Sequence, residues 1–236
     1  MRRIPALLPV SALAAGLVLA ITGCASGGSR STQAEQAMYA SVSKPLAATP
    51  PALPAGQRWA GGPAQGLRMA VPGRWVTVPA AARPGALHAV GLGRLKPSVL
   101  NAVMPGWGRP GSVTLADPGS SGGNSGDQAV MSLSCAAAGL PAGTNALTGL
   151  NTLAEQEFTA INSSNAQLGQ TTVDGRTAVL VYNQMSVGTA SVTALQYAIA
   201  APAGRTCYVT LATEKQVPFE PVFSRLRPGI QVLGAA

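Results

Sequence analysis

Between Leu168 and Thr213 the chain runs in short segments of alternating apolar and polar residues, broken by turn signals. Such a pattern folds as an antiparallel meander. The strongest signal is Asp174-Gly175. A type I′ turn needs positive φ at both central positions, which Asp tolerates and Gly adopts freely. This predicts a hairpin joining 168–173 to 176–185. A turn near Gly188 leads into a strand over 191–200, and Pro202-Ala203-Gly204 leads into 206–213. In that last strand Cys207, Val209 and Leu211 share one face.

Upstream, Met131-Ser132-Leu133-Ser134-Cys135 alternates with period two and reads as a strand. A helix is predicted from about Asn145 to Asn162, because Leu147, Leu150, Ala154, Phe158 and Ile161 recur three or four apart. Earlier, Leu67 to Ala70 and Trp75 to Val78 flank a turn at Val71-Pro72-Gly73-Arg74. The apolar run from Leu87 to Leu92 reads as a further strand. Residues 105–127 read as a long Gly/Ser/Pro-rich loop holding a short strand at 113–115. A final helix is predicted from Pro218, with Phe219, Val222, Phe223 and Leu226 as its stripe and Pro228-Gly229 as its stop. The order implies an α+β fold, an antiparallel sheet flanked by helices.

The first residues carry a different message. Met1-Arg2-Arg3 is a positive n-region, and 4–21 is apolar with Pro5 and Pro9 early in it. As a helix this run reaches about 27 Å, marginal for spanning a bilayer. It ends in Ile21-Thr22-Gly23-Cys24, which resembles the bacterial lipobox. A transferase places a diacylglyceryl group on such a thiol, and a peptidase that accepts only small residues cuts before it. Residues 1–23 therefore read as a lipoprotein signal peptide and Cys24 as the acylated first residue of the mature chain. The expected location is the outer face of the cell membrane, held there by acyl chains. Residues 24–65, rich in Ser, Ala, Pro and Gly, read as a flexible tether of about 35 Å r.m.s. span. The domain is then expected over 66–236.

Charge divides along the chain. From Ala25 to Ala116 there are nine basic residues against Glu35 alone, and from Asp117 onward five basic against seven acidic. A cationic membrane-proximal half favours anionic headgroups. A nucleic-acid partner is not expected, because no basic run is interleaved with aromatics.

The segments Val71-Pro72-Gly73-Arg74-Trp75, Val173-Asp174-Gly175-Arg176-Thr177-Ala178, Tyr208-Val209-Thr210-Leu211 and the closing stretch from Phe219 to Leu226 give the chain a family likeness. Over about Gly66 to Leu233 it resembles the PsbP/DcrB-like fold, and more closely the LpqN-type lipoproteins of actinobacteria. The resemblance implies a PsbP-like α/β/α sandwich and an accessory or binding role in the cell envelope and its lipid traffic. It brings no shared catalytic set. The Gly-rich stretch from Ser120 to Gly126 departs from the compact pattern.

Few residues suggest chemistry. Cys135 and Cys207 remain once Cys24 is acylated, and an even pair in an oxidising compartment favours a disulfide over two separate buried thiols. His88 is the only histidine, and no metal site or cofactor is expected. The serines form no nucleophile elbow, and no catalytic residue can be assigned. Glu155 and Glu157, two apart on one helix, point in different directions. Trp107 and Arg109, in a Gly-rich loop, are the candidate ligand-binding residues, an aromatic to stack and a guanidinium for an anion. Alternatively Trp107 folds back onto the sheet. Trp75 reads as core.

Two functional readings follow. One is a non-catalytic lipoprotein that binds an envelope lipid or glycolipid, or a membrane-protein partner. The other is a small hydrolase or transferase using Ser, Asp and His88.

Overall fold

The computed structural model describes residues 52–90, 92–117, 129–136, 145–161, 167–187, 190–213 and 226–233. The leader, Cys24, the stretch from Ser120 to Gly126 and most of the predicted closing helix lie outside them.

The meander forms as the sequence dictates. Strands β6 (Gln167–Val173) and β7 (Arg176–Val187) meet at Asp174 and Gly175, at φ 52° and 68°. β8 (Ala190–Ala200) and β9 (Thr206–Thr213) continue it. β5 (Ala129–Ala136) pairs with β9, β4 (Val113–Asp117) with β5, and the two-residue β3 (Val76–Thr77) with β4. The result is a seven-stranded antiparallel sheet in the order β3-β4-β5-β9-β8-β7-β6.

Alternation sorts each central strand between two buried faces. On one face Met131, Leu133, Leu180, Leu195, Val209 and Leu211 join a single core. A second, three-stranded sheet covers that face. It consists of β1 (Gln57–Gly62), β2 (Leu67–Pro72) and β10 (Ile230–Val232), with β2 in the middle. Leu67, Met69, Val71, Ile230 and Val232 point from it into the core. Leu226, from the predicted closing stripe, is buried there too.

Helices cover the opposite face: α1 (Arg83–Ala89), α2 (Pro97–Val103) and α3 (Ala146–Ile161). Leu87, Val90, Val103 and Met104 bury against Val130, Val192, Ala194 and Ala212. Leu150 and Ala154 of α3 bury against Val179, Val181 and Ala198, with Leu147 half-buried beside them. The side chains of Phe158 and Ile161 lie outside the described residues. The fold class is α+β. Where the expected sandwich has helices on both faces of one sheet, the described layer opposite the helices is a second sheet.

Four local expectations need correction. Leu87 to Leu92 is not a strand; the segment lies in and just after α1, because Leu87 and Val90, three apart, are buried while His88 and Ala89 between them are exposed. That is helical spacing. Gln57–Gly62, placed in the tether, is a strand paired along its length with β2, so the folded unit starts before Gly66. β2 and β3 do not form a hairpin, since they belong to different sheets. Trp75, between them, is 1% exposed and sits in the shared core. Finally, the chain after Gly229 forms β10, whose three residues were too short a run to show alternation.

Cys135 and Cys207 stand directly opposite each other in the β5–β9 ladder and form a disulfide.

Candidate functional site

The segment from Pro105 to Ser112 is a chain of tight turns, not an open loop. Backbone hydrogen bonds run from Trp107 N to Met104 O, Arg109 N to Gly106 O and Ser112 N to Arg109 O, at 3.0, 3.1 and 3.1 Å. Gly106, Gly108 and Gly111 take φ values of 77°, 72° and 83°, a region that costs an L-residue energy and glycine little. Ser134 Oγ of β5 donates to Pro105 O at 2.9 Å. A Cβ on Gly106 would overlap that hydroxyl. Arg83 Nη2 braces the far end by donating to Ser112 O at 3.4 Å.

This turn chain separates the two residues that the sequence joined. Trp107 folds back and packs, half-buried, against the apolar cluster beneath α1 and α2. Arg109 is exposed on the other side and lines a cleft of about 620 Å³. That volume is within the range of small-molecule sites. α2 and α3 pack against each other, and the cleft opens along them. Ser98 and Asn101 of α2 form one wall, and Leu153 and Gln156 of α3 the other. Ser134 and Tyr208 lie on neighbouring strands at its floor, and Gln65 stands at its rim.

Arg109 is the one charged residue in the described lining, and no Asp or Glu is part of it. Glu155, the acid next to the lining in sequence, is exposed on α3. Among the described residues the Arg109 side chain makes no hydrogen bond or ion pair, whereas other arginines of the fold are committed. Arg58 donates to Trp75 O at 3.2 and 2.6 Å. Arg68 donates to Gln231 Oε1 at 2.7 Å and lies over the Trp59 ring. Arg74 makes a two-point ion pair with Asp117, which raises its already high pKa. Arg205 donates to Pro202 O.

Next to the cleft floor the same face of the sheet is unexpectedly polar. The next same-face pair along from Ser134 and Tyr208 is Ser132 and Thr210, and Gln196 of β8 stands opposite Thr210. These three are 1%, 0% and 3% exposed. Thr210 Oγ1 lies 3.4 Å from Gln196 Oε1. Ser132 Oγ has no hydrogen-bond partner among the described residues, nor has Asn183 Oδ1 of β7. The row divides the apolar cluster under α1 and α2 from the one under α3.

The remaining candidates do not converge on the cleft. His88 is exposed on α1 and is not part of the lining. Among the described residues no cluster of His, Cys, Asp and Glu is disposed to hold a metal ion. No helix among them is long and apolar enough to cross a membrane. Ile21, Thr22, Gly23 and Cys24 lie outside the described residues. Sequence reasoning missed Gln156 because nothing on the predicted helix marks the polar face that meets α2, and Ser98 and Asn101 because it assigned no element to 97–103. The signal was there: Pro97 in a first turn, then Val99, Leu100 and Val103 at helical spacing.

No protein-family model matches this sequence. No curated protein matches it either. Solved structures of distant likeness include the following two. A solution structure of cyanobacterial PsbP, CyanoP from Synechocystis, superposes with a TM-score of 0.45 at 14% identity, covering 78% of this chain and 96% of that one. A crystal structure from Bacteroides thetaiotaomicron gives a TM-score of 0.41 at 9% identity over 75% of this chain. The chain spans about half of that protein, 48% of its length.

Proposed function

We propose that this chain is an extracytoplasmic lipoprotein, acylated at Cys24, whose domain is a non-catalytic binding module for an envelope lipid or glycolipid. In this reading it is of the LpqN type, and the cleft between α2 and α3 is the binding site.

The observation that carries the reading is the use of the three cysteines. Cys135 and Cys207 pair with each other inside the domain, as suits an oxidising compartment. Cys24 is left as the third, behind a leader that ends in Ile21-Thr22-Gly23. The cleft supports the binding half of the reading. Its described lining offers hydrogen-bonding groups and one cation, the kind of surface that orients a bound polar ligand.

The test is purification of the full chain from detergent-solubilised membranes, followed by mass spectrometry of the lipids that come with it. A discrete lipid or glycolipid class, held without turnover, supports the proposal. Hydrolysis or transfer activity that His88→Ala abolishes would replace it with an enzymatic reading.

A further inference from the structure

The cleft also specifies what part of a ligand it can take. Its described lining holds hydroxyls and amides from Ser98, Asn101, Gln156 and Tyr208, one guanidinium from Arg109, and no carboxylate. Hydroxyl and amide groups around a single cation suit a ligand rich in hydroxyls with one anionic group. A guanidinium is the side chain that matches a phosphate's geometry.

The floor of the cleft carries the Ser134 and Tyr208 hydroxyls. Beyond them the same face of the sheet stays polar, with Ser132, Thr210 and Gln196 buried next along. Hydroxyls at the floor suit a headgroup better than a hydrocarbon tail.

Resting on the binding reading above, we infer that the cleft takes a phosphorylated polyol, with its phosphate on Arg109 and its ring hydroxyls on Asn101 and Gln156. The ligand is either an anionic glycolipid presenting such a headgroup or a free sugar phosphate, and the two sources share this chemistry.

Calorimetric titration of the full chain in detergent tests the assignment, with myo-inositol 1-phosphate, myo-inositol and inorganic phosphate as probes. The phosphorylated polyol is expected to bind more tightly than either fragment. Arg109→Ala should weaken it by about tenfold to a hundredfold, the usual effect of losing a charge-assisted hydrogen bond. Gln156→Ala should weaken inositol phosphate but leave inorganic phosphate unchanged. Arg94→Ala, an exposed cation outside the lining, should change nothing. Because the Arg109 side chain is exposed and uncommitted, its removal leaves the fold intact, which the melting temperature checks.

Flotation with phosphatidylcholine vesicles, with and without phosphatidylinositol, separates the sources. Added binding to the phosphatidylinositol vesicles that Arg109→Ala abolishes marks the lipid headgroup; binding of the soluble probe alone marks the free phosphate. Equal affinity of wild type and Arg109→Ala for inositol phosphate overturns the inference. So does a chain that binds none of these probes while retaining a phosphate-free lipid on purification, and in that case the binding reading survives without it. Failure to retain any lipid and to bind any probe overturns both.

Discussion

Gly106 has two reasons to be glycine: its φ of 77°, and the Ser134 hydroxyl that occupies the space a Cβ would need. Gly106→Ala is expected to lower unfolding free energy by about 2–3 kcal/mol, combining left-handed strain with overpacking. Gly175→Ala, at φ 68° but facing open space, should cost only about 1–2 kcal/mol. Urea unfolding of the two variants measures the difference. Tyr197 gives a pH test. It is fully buried in the core, with Arg227 5.8 Å from its ring centre. Burial pushes its phenol above the usual tyrosine value, against a smaller opposing pull from Arg227. A group whose folded pKa is raised stabilises fully below its unfolded pKa and loses that contribution as pH rises past it. The urea midpoint should therefore fall above about pH 10, where an unfolded tyrosine ionises. Tyr197→Phe should flatten that fall; an unchanged slope would refute the assignment. At this scale the sequence was legible where chemistry is local. Trp75 reads as core from the sequence, and Trp107 admits either a ligand-facing or a folded-back position. What it could not say is that two residues two apart, Trp107 and Arg109, lie on opposite sides of a turn chain, because that depends on Ser134 from a distant strand.

The elements that could be read in advance are those with sustained period. β5 through β9 and α3 each carry enough alternating or helical positions to declare themselves, and Asp174-Gly175 fixes one register outright. The misread ones are short or lie at an edge. β1 has Gly at two of six positions and only Ala60 buried, so no alternation marks it. α1 offers one buried position, Leu87, with Val90 just beyond its end, too few to separate helix from strand by pattern. The hairpin tip also does something no local pattern reveals: Asp174 Oδ2 accepts a 2.9 Å hydrogen bond from Val232 N, joining the large sheet to β10 of the small one. Asp174→Ala should lose this bond and a residue tolerant of positive φ, costing about 2 kcal/mol. Asp174→Asn keeps an acceptor and that tolerance and should lose less. Faster hydrogen exchange at Val232 in Asp174→Ala, with β8 unaffected, would locate the effect.

For the molecule as a whole, two sheets share one core, and helices cover the outer face of the larger. The disulfide ties β5 to β9 near the middle of the large sheet, 72 residues apart in sequence. In the chain-entropy model closing such a loop contributes about 4 kcal/mol. Reduction should lower the melting temperature by an amount that a Cys135→Ala/Cys207→Ala chain reproduces without reductant. The order of elements foretold an α+β unit and the charge count a cationic first half, but neither foretold the cleft. That feature needs α2, α3, a turn chain and β5 brought together, and no single segment encodes it. The proposed role joins this cleft to the acylated end of the chain. Mass spectrometry of the N-terminal peptide from the membrane-extracted protein tests that role most directly. The account predicts a peptide that begins at Cys24 and carries diacylglycerol on its thiol. A peptide that begins elsewhere, or an unmodified Cys24, would contradict it.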